Sequence, residues 1–281
     1  MTDFESVAIG DLTFDVWIDG PAEGEPVVLL HGFPQSAAGW SLVTPYLVEA
    51  GLRVIAPNQR GYSPGARPLE VSAYGIDKLV GDVIGMLDAL DIDSAHVVGH
   101  DWGAAVAWPL AVHHPDRLRS LTTASMPHPA AFGQALREDA DQQQRASYIG
   151  LLRRPGKAED LLLEDDARRL RAMFGGAVPA DQVEAHLGVL TRPEALTAAL
   201  NWYRAMTADL GELPAVKVPT TYVWSDQDTA MGRSGAENTG NFVDAPYEFV
   251  ELAGISHWIP EEAPEQLANA VLARIGSVRS S

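Results

Sequence analysis

Hydrophobic and polar positions follow two different periods along the first part of the chain. Apolar and polar residues alternate over LTFDVWI (12–18), which predicts a half-exposed strand, while the unbroken apolar run PVVLLHG (26–32) predicts a strand buried on both faces. Apolar residues recur at helical spacing in WSLVTPYLVEAG and IDKLVGDVIGMLDAL. Further strands are predicted over RVIAP, AHVVGH and LRSLTTAS. This order predicts the α/β class: a mostly parallel twisted sheet with helices on both faces.

The pattern becomes purely helical between residues 129 and 213. Helices are predicted there over QALREDADQQQRASYIGLLR, KAEDLLLEDDARRLRAMF, ADQVEAHLGVL and RPEALTAALNWYRAM. Strands return at VPTTYVWS (218–225) and YEFVELAG (247–254), and PEQLANAVLARI predicts a closing helix. We therefore expect an α/β core of residues 1–128 and 214–281, interrupted by an all-helical insert at 129–213 that we call the cap. The cap should lie over the carboxyl ends of the strands, where open parallel sheets bind ligands.

Composition narrows the classes of function. The 281 residues carry a formal net charge of −18, which argues against nucleic acid because phosphate binding needs a basic face. The acidic segment MTDFESVAIG is not typical of a signal peptide, and no run of about 18 apolar residues predicts a membrane span. The lack of cysteine excludes disulfides and thiolate metal sites. We expect a cytoplasmic protein.

The segment GHDWGA (99–104) predicts an abrupt turn between a strand and a helix. It places glycines on both sides of Asp101 at the spacing G-x-D-x-G, and the familiar form of this turn carries a nucleophilic serine at its centre. A lone aspartate at such a turn is usually a helix N-cap, so Asp101 alone indicates little.

Two more candidate groups follow predicted strands later in the chain. Asp228 comes just after VPTTYVWS and His257 just after YEFVELAG, although Asp226 is a rival for the acid. Nucleophile, acid and histidine in this order are typical of nucleophile-elbow hydrolases. We therefore interpret Asp101, Asp228 and His257 as a catalytic triad.

The loop HGFP (31–34) follows the buried strand and predicts an oxyanion hole. Its residues are His31, Gly32, Phe33 and Pro34. The backbone N–H groups of Phe33 and Trp102 would be the donors. A plain turn is the alternative reading of this loop.

An aspartate at the elbow changes the chemistry that the turn can perform. A serine that attacks a saturated carbon forms an ether, which is a dead end, whereas an aspartate forms an ester that water can cleave at its carbonyl. A carboxyl with a pKa of about 3.9 is already ionised at pH 7, so histidine is left to activate water in the second step. Asp101 therefore indicates substrates attacked at sp³ carbon, either epoxides or alkyl halides.

The chain resembles the soluble epoxide hydrolases of the α/β-hydrolase fold. The resemblance runs along most of the chain and rests on HGFPQ, RGYS (60–63), GHDWGA, MPHPAAF (126–132) and the DQD and SHW segments. It implies two cap tyrosines that donate hydrogen bonds to the epoxide oxygen. SYIGLLRRPG offers Tyr148 for one and LNWYRA offers Tyr203 for the other.

Related dehalogenases are the nearest alternatives. Haloalkane dehalogenases share the tryptophan after the aspartate, here Trp102, but usually carry asparagine where this chain has Phe33. Fluoroacetate dehalogenases carry arginine at the position of Trp102. A non-catalytic binding protein of the same fold is a third reading. The resemblance implies a cofactor-independent and metal-free enzyme, monomeric or homodimeric, that acts on a small apolar epoxide and water.

Overall fold

The computed structural model describes residues 4–207 and 212–280, and within them eight strands form one sheet. The strands are β1 (Glu5–Ile9), β2 (Leu12–Asp19), β3 (Glu25–Leu30), β4 (Leu52–Pro57), β5 (Ala95–His100), β6 (Leu118–Ala124), β7 (Thr220–Ser225) and β8 (Tyr247–Leu252). Their order is β1-β2-β4-β3-β5-β6-β7-β8. β2 pairs antiparallel with β1 and β4, and the remaining neighbours are parallel.

Helices connect and cover the strands. They are α1 (Thr44–Glu49), α2 (Ile76–Ala89), α3 (Trp102–His113), α4 (Pro129–Glu138), α5 (Ala140–Arg145), α6 (Ile149–Leu152), α7 (Lys157–Ala172), α8 (Ala180–Leu190), α9 (Ala195–Ala205), α10 (Arg233–Asn238), α11 (Ile259–Glu262) and α12 (Pro264–Arg279). None of these helices combines the length and apolar character that a membrane crossing needs.

The continuous apolar run of β3 is explained by helices on both faces of the sheet. Val28 and Leu30 point into one apolar core, which α2 and α3 cover. Val27 and Leu29 point into a second core, which α1 and α12 cover. Successive strand residues face opposite sides, so a strand in the middle layer needs an apolar residue at every position.

The cap helices α4–α9 lie between β6 and β7 in the chain and contact the loops that follow the strands. Trp202 Nε1 donates to the Arg60 carbonyl oxygen at 2.9 Å, beyond the end of β4. The Ser36 N–H donates to His186 Nδ1 at 3.1 Å, beyond the end of β3. The cap therefore covers the carboxyl ends of these strands; its limits at 129 and 213 stay a prediction, and residues 208–211 lie outside the described residues.

Two cap helices differ from the sequence prediction. The run predicted as one helix from Gln134 breaks at Asp139, whose side chain accepts the Asp141 N–H at 2.9 Å and caps α5. α7 is interrupted where Asp165, Asp166 and Ala167 have φ values of 51°, 57° and 56°. Aspartate tolerates left-handed backbone better than most residues, so Asp165 and Asp166 lower the cost of a break at this point.

Candidate active site

Asp101 lies at the tip of the turn between β5 and α3. Its backbone is strained, with φ 50° and ψ −119°. A Cβ on Gly99 would lie 2.5 Å from the Gly103 carbonyl oxygen, and a Cβ on Gly103 would collide with the Leu30 carbonyl oxygen. Only glycine fits at both positions, so the G-x-D-x-G spacing is a steric requirement of the turn that directs the Asp101 carboxylate into the site.

Backbone N–H groups from two loops face this carboxylate. The Phe33 N–H donates to Asp101 Oδ1 at 2.9 Å, and the Trp102 N–H also bonds the carboxylate. These are the two amides that the sequence predicts for the oxyanion hole. The predicted loop is therefore adjacent to Asp101, and its Phe33–Pro34 peptide bond is cis.

His31 determines where the Phe33 N–H points. The Gln59 N–H donates to His31 Nε2 at 3.2 Å, so Nε2 is unprotonated and Nδ1–H donates to the Gly32 carbonyl oxygen at 2.9 Å. Burial lowers the pKa of His31 to about 3, which keeps the ring neutral. The Gly32 carbonyl and the Phe33 N–H share one planar peptide, so holding the oxygen aims the N–H at Asp101.

His257 lies between Asp101 and Asp228, the two aspartates of the predicted triad. Its Nδ1 is 2.9 Å from Asp228 Oδ2 and 3.0 Å from Asp228 Oδ1, and its Nε2 is 3.6 Å from Asp101 Oδ2. A carboxylate only accepts, so Nδ1 carries the proton and donates it to Asp228. Asp226 lies elsewhere, because its carboxylate accepts the Gly254 N–H at 2.7 Å. The structure thus brings Asp228, and not Asp226, to the histidine.

The charges of the three groups depend on one another. Burial lowers the pKa of His257, but the charge and hydrogen bonds of Asp228, together with the charge of Asp101, outweigh it and raise the pKa to about 9. Burial raises the pKa of Asp101, against the opposing effects of His257 and the two amides. For Asp228, burial is outweighed by His257, and the pKa is lowered. The free site therefore pairs a cationic ring with two carboxylates.

Both predicted cap tyrosines reach the same site. Tyr148 and Tyr203 lie edge-to-face with ring centroids 6.4 Å apart, and the Tyr203 side chain has a small lowering effect on the pKa of Tyr148. The Trp102 ring packs edge-to-face against Tyr203, with the ring centroids 5.0 Å apart. Burial raises the pKa of each phenol, so both stay protonated and can donate.

Two cavities of about 470 Å³ each are lined by Asp101, Tyr148 and Tyr203. The first is also lined mostly by apolar side chains, among them Trp102, Met126, Phe132, Leu136 and Met206. The second is lined by Phe33, Leu151, Leu162, Met173 and His257, with others. In the described residues, no cluster of three or more His, Asp and Glu could hold a metal ion. Asp101 and the two phenols thus face cavities that are large enough for a small-molecule ligand and have mostly apolar walls.

The family model of the alpha/beta hydrolase fold matches residues 25–264. The chain belongs to the α/β hydrolase family. The α/β hydrolase fold expected from the sequence is therefore confirmed, with its eight-stranded, mostly parallel sheet.

Relatives of this α/β hydrolase include the AB hydrolase superfamily protein YfhM of Bacillus subtilis, 36% identical over 269 residues that cover 93% of each chain. Epoxide hydrolase A of Mycobacterium tuberculosis is 31% identical and covers 91% of this chain and 92% of its own. A solved epoxide hydrolase from hot-environment metagenomes superposes with a TM-score of 0.88 at 30% identity, covering 98% and 99% of the two chains. The resemblance to epoxide hydrolases expected from the motifs is confirmed.

A buried network that the sequence does not predict lies behind the oxyanion loop of this α/β hydrolase. Gln35 Nε2 donates to both Glu261 carboxylate oxygens, at 2.7 and 2.9 Å, and His100 Nδ1 lies 2.8 Å from Gln35 Oε1. His186 of the cap lies with its Nε2 3.2 Å from Glu261 Oε1. His100 Nε2 lies 2.8 Å from the His257 carbonyl oxygen. The network links the cap, the oxyanion loop and the catalytic histidine candidate.

Only part of this network had a signal in the sequence. Gln35 and His100 stand beside predicted site residues, in HGFPQ and GHDWGA. His186 and Glu261 are isolated in helical segments and meet their partners only through the fold: His186 lies 75 residues from Glu261, and Glu261 lies 226 residues from Gln35.

Proposed function

We propose that this protein is an epoxide hydrolase that adds water to an epoxide and gives a vicinal diol, through an ester on Asp101. The observation that carries the proposal is that the Asp101 carboxylate and the phenols of Tyr148 and Tyr203 line the same cavities. A nucleophile with donors facing it suits ring opening, where the leaving oxygen stays attached to the substrate. The substrate class is a small apolar epoxide, and water is the other reactant.

In the first step Asp101 opens the ring. Oδ1 accepts the Phe33 N–H, while Oδ2 faces His257, so Oδ2 is the attacking atom. The bond from Oδ2 to carbon forms as the carbon–oxygen bond of the ring breaks. Tyr148 and Tyr203 donate hydrogen bonds to the developing alkoxide, a charge that water would otherwise have to stabilise. The alkoxide becomes a hydroxyl with the proton that His257 releases as its pKa falls.

In the second step His257 activates water. Ester formation removes the Asp101 charge, one of the influences that raise the pKa of His257, so its pKa falls and the ring becomes a better base. Water loses a proton to Nε2 and attacks Cγ of Asp101, while the amides of Phe33 and Trp102 hold the charge on Oδ1. The ester bond then breaks, and the leaving product oxygen takes the proton from Nε2. The proton left on the new Asp101 carboxyl passes to His257, which restores the carboxylate and the cationic ring. Asp228 keeps Nδ1 protonated and the ring oriented.

The two steps separate in His257→Gln. This variant should open an epoxide such as styrene oxide but fail to cleave the ester. Intact-mass spectrometry should then show one substrate-sized adduct, and peptide mapping should locate it on Asp101. Asp101→Asn is the control and should gain no mass. A His257→Gln protein that binds the epoxide without gaining mass would contradict the two-step scheme.

The same assay separates the alternatives. Trp102 would hold a departing halide through its indole N–H in a haloalkane dehalogenase, whereas here its ring packs edge-to-face against Tyr203, with the ring centroids 5.0 Å apart. Rapid bromide release from a bromoalkane, with no epoxide turnover, would favour the dehalogenase. Binding without any turnover would favour a non-catalytic protein. A cytoplasmic location and a monomeric or homodimeric state stay predictions from the sequence.

A further inference from the structure

The loop after β7 that carries Asp228 is held from two sides. On the inside, Asp228 Oδ1 accepts the N–H groups of Ala230 and Met231, at 2.8 and 2.9 Å. These bonds fold residues 228–232, which we call the acid loop, around the carboxylate. Both bonds end on Oδ1 of Asp228. Both carboxylate oxygens still lie within hydrogen-bond distance of His257 Nδ1.

On the outside, the acid loop is bound by a side chain of the cap. Gln142 of α5 is fully buried. Its Nε2 donates to the Ala230 carbonyl oxygen at 2.9 Å, and its Oε1 accepts the Gly232 N–H at 2.8 Å. One partner only accepts and the other only donates, so the orientation of the amide is fixed. One side chain thereby pairs with the loop backbone on both sides of Met231.

A second cap residue extends this contact to the acid itself. The Arg145 guanidinium donates to the backbone carbonyl oxygen of Asp228. Its Nε is in turn 2.6 Å from Asp141 Oδ2, on the same helix. α5 therefore contacts the acid loop at Asp228, Ala230 and Gly232. No residue of α5 is among those that line the two substrate cavities.

We propose that Gln142 is a positioning residue through which the cap holds Asp228 against His257, and that it serves the ester-cleavage step. The inference rests on the proposed function. Ring opening needs Asp101 and the two phenols, and no group of the acid loop supplies its charge or its donors. Water activation needs His257 oriented by Asp228. A disturbed acid loop should therefore slow the second step and spare the first.

Two variants test Gln142 in different ways. Gln142→Glu keeps the shape and the acceptor for Gly232 but loses the donor to Ala230. Gln142→Met keeps the length and fills the buried space without either hydrogen bond. Rapid-quench mass spectrometry on a single turnover gives the rate of adduct formation and the rate of adduct loss. We expect adduct loss to slow about tenfold, the scale of one lost hydrogen bond, while adduct formation changes less than about threefold.

Gln144→Glu is the matched control, because Gln144 lies on the same helix and is exposed. It should change neither rate. The pH dependence of adduct loss supplies a second readout. When Asp228 is held less firmly, its charge raises the pKa of His257 by a smaller amount. The inflection in the pH dependence of adduct loss should therefore move to lower pH in Gln142→Glu and stay unchanged in Gln144→Glu.

The outcomes distinguish this inference from the proposed function. If His257→Gln forms no adduct, the proposed function fails. If it does form the adduct while both Gln142 variants cleave the ester at the parental rate, the positioning role is wrong. Equal slowing of both steps would reduce Gln142 to a general support of the cap and would also overturn the inference. If Gln142→Met does not fold, Gln142→Glu decides, since it retains the bond to Gly232.

Discussion

The pKa of His257 is raised by Asp228 and also by the charge of Asp101, the neighbour whose charge the reaction removes. Esterification converts that neighbour from an anion to a neutral group, and Asp101→Asn imitates this change at nearly constant shape. We expect the pKa of His257 to fall from about 9 by about one pH unit or more in Asp101→Asn. An NMR titration of the His257 ring in the free protein measures both values.

Asp226→Asn is the control for this titration, because the Asp226 carboxylate binds the Gly254 N–H rather than the histidine. It should leave the His257 titration in place. An unchanged pKa in Asp101→Asn would mean that Asp228 alone sets the charge of the ring. Ester formation would then provide no means of converting His257 from a cation to a base.

Single residues were predictable from the sequence where the backbone requires them. The elbow glycines have no steric alternative, and the strand ends that precede Asp228 and His257 show in the apolar pattern. Choosing between Asp228 and Asp226 from two residues of spacing needs the direction of each side chain, which the structure supplies. Gln142 gave no signal, because a glutamine in a helical segment is ordinary and its partners lie 88 and 90 residues away.

Four elements are fastened together by one carboxylate, Glu25 at the start of β3. It lies 3.0 Å from His96 of β5, 2.7 Å from Arg119 of β6 and 2.6 Å from Arg279 of α12. Partial burial raises the pKa of Glu25, but the hydrogen bonds from these three groups outweigh it and lower the pKa from 4.5 to about 2. The ionised form is therefore favoured by folding.

The stabilisation from Glu25 should be complete above pH 4.5 and should be lost as the pH falls towards 2. We expect Glu25→Gln to lower the free energy of unfolding by about 1 kcal/mol at pH 7, with the difference shrinking below pH 4.5. Urea unfolding at several pH values measures it. Glu23→Gln, at an exposed neighbouring position, is the control. A difference that grows as the pH falls would contradict the cluster's role.

Strands with continuous or alternating burial were predictable from the apolar pattern. A strand that forms mainly by pairing with its neighbour was missed. The seven strands from β2 to β8 appear as apolar or alternating runs. β1 does not, because only Val7 of its five residues is buried, and its strand state comes from pairing with β2. The split at Asp139 follows from a side chain that bonds the backbone in place of a helical turn, and the break in α7 contains two aspartates with left-handed backbone. A hydrophobic pattern shows neither.

The cap and the core each supply half of the proposed ring-opening site. Asp101 belongs to the core, whereas Tyr148 and Tyr203 belong to the cap. Removing either phenol, in Tyr148→Phe or Tyr203→Phe, should slow adduct formation by about 10²-fold, the usual cost of losing one such donor. The double variant should lose more than either single variant, because one remaining donor partly covers the charge. Pre-steady-state adduct formation measures all three.

Tyr46→Phe is the matched control, since Tyr46 is exposed on α1, away from the cavities. A bromoalkane provides a second comparison, because bromide leaves as a stable anion and needs no phenol. If the double variant opens epoxides at the parental rate, the tyrosines are packing residues. Ready bromide release by a parent protein that ignores epoxides would then favour the dehalogenase.

At the scale of the molecule, the sequence predicted the cap and the α/β core as separate parts but not the contacts that connect them. Helical periodicity marks the cap as a separate block, and the rule for parallel sheets places it at the carboxyl ends of the strands. The interface between the cap and the core includes polar contacts such as His186 with Glu261 and Gln142 with the acid loop. Such pairs have no periodicity, and each depends on the angle at which the cap docks.

The two cavities beside Asp101 have equal volume but different walls, and this difference bears on stereochemistry. A substrate with unequal substituents can enter in two orientations, and each presents a different ring carbon to the carboxylate. Rearward attack inverts the carbon that it strikes, so the orientation fixes the handedness of the diol. The walls in which that choice is made differ in side chains such as Phe132 in one cavity and Leu162 in the other, neither of which makes or breaks a bond. Enantiomeric preference can therefore change while the chemistry stays the same.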